Sequence, residues 1–196
     1  FNNLVTGGSG FLGSHLIDKL MLRGESVICI DNFITGNKRN LNKWINNENF
    51  KLIEHDIKDP IELNAEKIWH LAGIASPIYY QKYPLDTIKT NFLGTLNILE
   101  LAKNLNAKIL FASSSEIYGD PLVHPQIENY FGNVNPIGNR SCYNEGKRIA
   151  ETLFFAYKRL CSLDIKVIRI FNTYGPRMMY NDGRVICNFI NQALND

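Results

Sequence analysis

Tyr143 and Lys147 lie four residues apart in the run Ser141-Cys142-Tyr143-Asn144-Glu145-Gly146-Lys147, a spacing that puts both on one face of a helix. A phenol and an ammonium acting on one small volume can move a proton to and from a hydroxyl. A tyrosine serving as a base near neutral pH must lose about three units from a reference pKa near 10, or about 4 kcal/mol, and a nearby cation pushes in that direction. Upstream, Ser113, Ser114, Ser115 and Glu116 end an apolar run. They can face a bound substrate or, equally well, cap a turn or helix. A third cluster, Gly7, Gly10 and Gly13, follows the apolar run at residues 3–6 as G-x-x-G-x-x-G. That pattern lets the backbone turn tightly and aim helix amides at a pyrophosphate. Asp31 ends the next apolar run, where a carboxylate accepts hydrogen bonds from a ribose diol and repels a 2′-phosphate, so the pattern predicts NAD rather than NADP.

These groups need a scaffold to bring them together. Short apolar runs at residues 3–6, 26–30, 50–55, 67–72, 108–112 and 166–171 read as strands, and helical spacing appears after Gly10, over 85–104, from Tyr143 to Tyr157 and over 183–195. The alternation predicts an α/β fold, a doubly wound Rossmann-type parallel sheet with right-handed crossovers, in one domain spanning 1–196. The Pro-, Gly- and Asn-rich stretch 118–140 reads as a long loop, and such a length within a compact domain is usually functional. His55 and His70 read as packed or surface residues, since no metal-type partner stands at useful spacing.

Bulk properties narrow the function classes. With 196 residues, 45% of them hydrophobic, the chain can bury a sizeable core. A net charge of +2 with no basic run gives no footprint for nucleic acid or an acidic membrane surface. Cys29, Cys142, Cys161 and Cys187 have no metal-like spacing and read as unpaired thiols. The sequence enters a strand directly from Phe1. The expected location is the cytoplasm, or the Golgi or ER lumen if an anchor lies upstream.

Taken in order, the glycines, Asp31, the serine-bearing strand end and Tyr143-x-x-x-Lys147 resemble an extended short-chain dehydrogenase/reductase. Members acting on nucleotide sugars carry a smaller C-terminal substrate domain, and this chain resembles their cofactor domain with that part largely missing. Over nearly its whole length the chain is most similar to the UDP-glucuronate decarboxylase (UDP-xylose synthase) family. The similarity is carried by Asp31-Asn32-Phe33-Ile34-Thr35-Gly36, by residues 114–121, by His124-Pro125-Gln126, by 135–138 running into 142–148, and by 170–178. Ser114 stands where the family often has Thr, and Gly73-Ile74 replaces a Ser-Pro pair, which bears on a loop beside the nicotinamide.

The resemblance implies a carboxy-lyase with tightly bound NAD. C4 of UDP-glucuronate would be oxidised, carbon dioxide would leave the resulting β-keto acid, and the returned hydride would give UDP-xylose. Tyr143, its pKa lowered by Lys147 and the cationic nicotinamide, would be the base. Ser114 would sit near O4, with Ser115 and Glu116 near the carboxylate and ring; Glu116 repels a substrate carboxylate unless protonated or acting through water. By position the resemblance gives the cofactor Gly7, Gly10, Phe11, Leu12, Asp31, Asn32, Thr35, Gly36, Asp56, Ile57, Leu71, Thr90, Ala112, Tyr143, Lys147 and Thr173, with a helix N-cap as an equal reading of Asp56. Lys89 and Asn172 join Ser114 and Glu116 on the substrate side. Arg184 would touch cofactor or substrate, a solvated arginine being the equal alternative, and no metal is implied. A homodimer through a bundle that includes the Tyr143 helix is expected, as is an arginine beyond Asp196 for the substrate carboxylate. The alternatives are a nucleotide-sugar 4,6-dehydratase or 4-epimerase, and an NAD-binding module without turnover. Dehydratases commonly carry Asp-Glu where this chain has Ser115-Glu116, and epimerases usually lack the Glu.

Overall fold

Six short apolar segments pair side by side in a computed structural model that describes residues 1–195. They are β1 (Asn3–Thr6), β2 (Val27–Asp31), β3 (Phe50–Glu54), β4 (Lys67–His70), β5 (Lys108–Ser114) and β6 (Ile165–Ile170), all parallel, in the order β3-β2-β1-β4-β5-β6. This is the doubly wound Rossmann order expected from the sequence. Parallel pairing puts every carboxyl end on one edge, so Thr6, Asp31, His70, Ser114 and Ile170 share that edge although they are far apart in sequence. The order reverses between β1 and β4, and a crevice opens there.

Both faces of the sheet are covered, which is why β1 and β2 are buried along their whole length. Successive residues of a strand point to opposite faces. Accordingly Leu4, Ile28 and Ile30 pack with Ile98, Leu99, Phe111 and Phe154 on one side. Val5, Val27 and Cys29 pack with Ile17, Leu20 and Trp44 on the other. The helices are α1 (Phe11–Leu22), α2 (Pro77–Lys82), α3 (Pro84–Lys89), α4 (Thr95–Leu105), α5 (Ser141–Cys161) and α6 (Val185–Asn195). Proline opens both α2 and α3 at a position where its missing N–H costs nothing.

The helix expected over 85–104 is interrupted. Residues Thr90–Gly94 form one π-helical turn between α3 and α4, the kind of irregularity that often marks a functional position. Gly94 in that turn lies against Ile57, and a Cβ there would come within 2.6 Å of the Ile57 Cδ1. Among the described residues no helix is long and apolar enough to cross a membrane, and no group of three or more His, Cys, Asp and Glu side chains could hold a metal ion.

His70 joins the carboxyl edge to the core. Its Nδ1 is 2.8 Å from the Thr6 hydroxyl and its Nε2 is 3.1 Å from the Thr95 hydroxyl. The ring lies parallel to Phe111 and Phe154. Burial, reinforced by the Lys147 charge, pushes its pKa down to about 3. Unfolded His70 takes a proton near pH 6.5, so between about 6.5 and 3 the unfolded chain binds more protons and stability falls as pH falls. Denaturant unfolding between pH 7 and 4 should therefore show a loss of roughly 1.4 kcal/mol per pH unit from this residue. His70→Gln should flatten that slope, and an unchanged slope in the variant would contradict the assignment.

Candidate active site

A cleft of about 530 Å³ runs along the carboxyl edge, from the glycine turn after β1 to the start of α5. On its first side the chain leaves β1 through Gly7, whose φ of +70° suits glycine and whose missing side chain matters: a Cβ would come 2.7 Å from the Ala72 nitrogen. Gly13 lets α1 lie against this turn, since a Cβ there would stand 2.2 Å from the Gly7 carbonyl oxygen. Gly10 caps α1 without a side-chain hydrogen bond, and Ser14 N–H is already paired with the Gly10 carbonyl. The first amides of the helix itself, those of Phe11, Leu12 and Gly13, precede this bond and are open to an anion.

Asp31 completes this side. Its carboxylate accepts from Ser9 N–H and Phe33 N–H, each at 2.9 Å, and each oxygen keeps a further lone pair. Gly36 crosses so closely that a Cβ would fall 1.8 Å from the Ser9 hydroxyl oxygen, which is itself buried without a partner. A carboxylate with spare acceptor capacity and open helix amides on the cleft wall fit the adenosine ribose and pyrophosphate of a dinucleotide.

Gly7, Gly10, Phe11, Leu12, Asp31, Asn32, Thr35, Gly36, Ile57, Leu71, Thr90, Ala112 and Thr173 all line the cleft. Asp56 does not. Its carboxylate accepts from Lys58 N–H and from the Asn32 amide, both at 3.0 Å, which is the turn-capping reading of this residue. Lys89 is exposed at the end of α3, outside the cleft lining, and Ser115 sits half-buried in the 3-10 turn Ser115–Tyr118, also outside it.

The opposite side is built by α5 against β5. Cys142, Tyr143, Gly146, Lys147, Ala150 and Phe154 recur at helical spacing and are buried. Gly146 allows the close approach, since a Cβ there would be 3.1 Å from Asn91 in the π-helical turn. Lys147, 3% exposed, donates to the Ala112 carbonyl at 2.9 Å and lies 4.7 Å from the Phe111 ring centroid. Burial pushes its pKa down to about 8, with the Glu151 charge one turn on resisting. Tyr143 stacks on Tyr80 at 5.1 Å with the rings 9° apart. Burial pushes the Tyr143 phenol up to about 12, while a hydrogen bond with Ser114 and the Arg184 charge pull the other way. In the ligand-free chain the phenol is thus raised rather than lowered as expected, because desolvation outweighs Ser114 and Arg184, while Lys147 lies 5.9 Å from the ring centroid and is committed to Ala112.

Ser114 does both things weighed for it: it lines the cleft, and its hydroxyl accepts the Glu116 N–H at 3.2 Å. Glu116, Asn172 and Arg184 also line the cleft, with Arg184 bound to Asp182 at 2.5 and 3.0 Å. The structure adds residues that the sequence reading missed. Arg140 lies three positions before Tyr143, a helical spacing that was visible in the sequence, and contacts Glu116 at 2.5 Å. Tyr80 reaches the site from α2, a helix too short to register as periodicity. Glu151 accepts from Ser113 at 2.6 Å and from Arg169 at 2.9 and 3.1 Å, tying α5 to β5 and β6.

Strand order, glycine turn, acidic strand end and a buried Tyr143-Lys147 pair on one crevice define a dinucleotide-binding Rossmann protein of the short-chain dehydrogenase/reductase class. The chain belongs to the NAD dependent epimerase/dehydratase family, whose sequence model matches residues 3–196. It is 60% identical over 192 residues to UDP-glucuronic acid decarboxylase 6 of Arabidopsis thaliana, covering 97% of this chain and 56% of that protein. To UDP-glucuronic acid decarboxylase 1 of Xenopus tropicalis it is 58% identical over 191 residues, covering 97% and 45%. The chain spans about half the length of these curated relatives. A UDP-N-acetylglucosamine 4-epimerase from Methanobrevibacter ruminantium M1, solved with UDP-N-acetylmuramic acid, is similar with a TM-score of 0.86 at 33% identity, covering 99% of this chain and 63% of that one. A dTDP-glucose 4,6-dehydratase from Streptomyces venezuelae, solved with NAD bound, reaches 0.88 at 26% identity, covering 100% and 62%.

The buried Lys147 amine should titrate near pH 8 in the ligand-free chain, well below an ordinary lysine. Nitrogen-15 NMR of labelled lysine, with Lys147→Arg to assign the signal, reads this directly. A midpoint above pH 10 would contradict the burial described.

Proposed function

We propose that the full protein decarboxylates UDP-glucuronate to UDP-xylose, using NAD that ends each cycle unchanged. One observation carries this reading: a single cleft joins the Asp31 cradle to Tyr143, Ser114 and Glu116, in a chain 60% identical to a UDP-glucuronic acid decarboxylase. Asp31, with the open amides of α1, would hold the adenosine half of the cofactor, and Lys147 and Thr173 would hold its other end. When bound, NAD supplies a reversible two-electron acceptor and a positive charge.

The chain's own residues then have distinct tasks. Tyr143 takes the proton of the sugar hydroxyl that is oxidised and later returns it. In the ligand-free site the phenol keeps its proton, with its pKa near 12, so the returning half of the task is the one the bare fold favours. Added positive charge in the cleft is what the accepting half requires. Tyr80 fixes the plane of the Tyr143 ring by stacking. Ser114 orients the sugar hydroxyl. Lys147 uses one of its three N–H donors on Ala112 and keeps the others for a ribose hydroxyl or the phenol. Glu116 stands on the side where the substrate carboxylate would lie.

A homodimer is part of the same proposal, because Leu85, Ile88, Phe92, Phe155 and Leu160 leave an apolar surface exposed on the segment from α3 to α5. The structural similarity to epimerases and dehydratases keeps 4-epimerisation or 4,6-dehydration as the second reading, since the same cleft serves their first oxidation. Incubation of the full protein with UDP-glucuronate and catalytic NAD, followed by mass spectrometry, separates these readings. UDP-xylose is expected, and a 4-keto-6-deoxy sugar or an epimer would overturn the proposal. Tyr143→Phe should lower turnover by about 10³-fold, within the range for loss of a positioned acid–base group, while NAD binding stays within about threefold. Near-normal turnover in that variant would remove Tyr143 from the proton-transfer role.

A further inference from the structure

The chain leaves β6 at Ile170 on the far side of the crevice, three positions from β1 in the sheet order. At about 4.8 Å per strand it has to cross about 14 Å of the carboxyl edge to reach α1, and it makes that crossing. Gly175 lies on Phe11 at the start of α1, so closely that a Cβ there would come 3.3 Å from the ring. His15 Nε2 donates to the Pro176 carbonyl at 3.0 Å, and Arg177 Nη2 donates to Asp18 Oδ2 at 2.6 Å. Phe11, His15 and Asp18 follow helical spacing and form one stripe along α1.

Both ends of the crossing are fastened. The other oxygen of Asp18 accepts from the indole N–H of the buried Trp44 at 2.7 Å, which ties the anchor to the core of the first side. Beyond the crossing, the buried Ser76 hydroxyl donates to the Asp182 carbonyl at 2.7 Å. Between these points Met178, Met179 and Tyr180 line the same cleft as the open amides of Phe11, Leu12 and Gly13. Arg177 itself has a φ of +69°, a left-handed conformation that a residue other than glycine seldom adopts. Such a residue persists only where its surroundings hold it, and such positions cluster at ligand clamps and switch segments.

We propose that Asp18 and Arg177 are positioning residues for the cofactor: their ion pair latches segment 171–182 across α1, and a dinucleotide seated on the α1 amides leaves only when that latch opens. The two side chains act through the segment and not on the cofactor. The inference rests on the cofactor part of the functional reading above and not on the choice of sugar.

The test is the rate of cofactor release. Full protein loaded with NADH is mixed with a large excess of NAD, and the fall in bound-NADH fluorescence gives the dissociation rate. Arg177→Gln and Asp18→Asn should each speed release about fivefold, the upper end for an ion pair near the surface. The double variant should be no more than about twofold faster than either, because both changes break one contact. Arg177→Lys should restore most of the slow release, since a single nitrogen makes the contact. His15→Ala removes the neighbouring anchor without touching the pair and should speed release about twofold, which keeps the inference testable should the pair variants fold poorly. Faster release in Arg177→Gln with unchanged or slower release in Asp18→Asn would mean that Arg177 holds the cofactor directly, and would overturn the latch. Fully additive effects in the double variant, or unchanged release throughout, would overturn it as well. If the unaltered protein retains no NADH, the cofactor reading fails and the latch with it.

Discussion

The Lys147 amine, buried against Phe111 and held by the Ala112 carbonyl, is the constraint to which the rest of the site is fitted. Seating it requires α5 to run close to the carboxyl end of β5. Gly146 and the π-helical turn carrying Asn91 give the helix that room. Once α5 lies there, Tyr143 faces the crevice between β1 and β4 where a dinucleotide fits. The cost of the arrangement shows in both titrating groups, since burial disfavours the ammonium and the phenolate alike. In the ligand-free site the phenol consequently retains its proton, and charge brought in by ligands decides when Tyr143 can act as a base.

Ion pairs organise the surroundings. The Glu151 carboxylate, bound by Ser113 and by two nitrogens of Arg169, locks β5, β6 and α5 together behind the site. Arg169 also donates to the Tyr118 hydroxyl and the Glu128 carbonyl, so the same guanidinium holds the long loop that follows the Glu116 turn. Pairs of this kind add little net stability after desolvation, but removing one partner leaves an uncompensated charge. Their role here is to hold geometry. On the cleft wall the Arg140–Glu116 pair is more exposed.

The fold alone does not choose among epimerase, dehydratase and decarboxylase chemistry, since solved epimerases and dehydratases share it at TM-scores of 0.86 and 0.88.

The sequence by itself determined the strand and helix alternation, the glycine turn, Asp31 and the Tyr143-x-x-x-Lys147 pair, because these depend on local spacing and backbone freedom within a few residues. It also contained both readings of Ser114 and of Asp56; in the structure Ser114 caps a turn and lines the cleft, and the Asp56 carboxylate accepts from Lys58 N–H and from Asn32, a residue of the cleft wall. The break of the 85–104 helix into α3, a π-helical turn and α4 was not legible, since what the turn accommodates is Ile57 against Gly94 and Gly146 against Asn91, contacts far apart in the chain. Tyr80 beside Tyr143 and Arg140 beside Glu116 were decided the same way, by which elements the parallel sheet places at one edge. The direction of the Tyr143 shift belonged to the tertiary structure too. Spacing shows that a cation is near, but the desolvation that outweighs it arises from every residue that excludes water from the phenol.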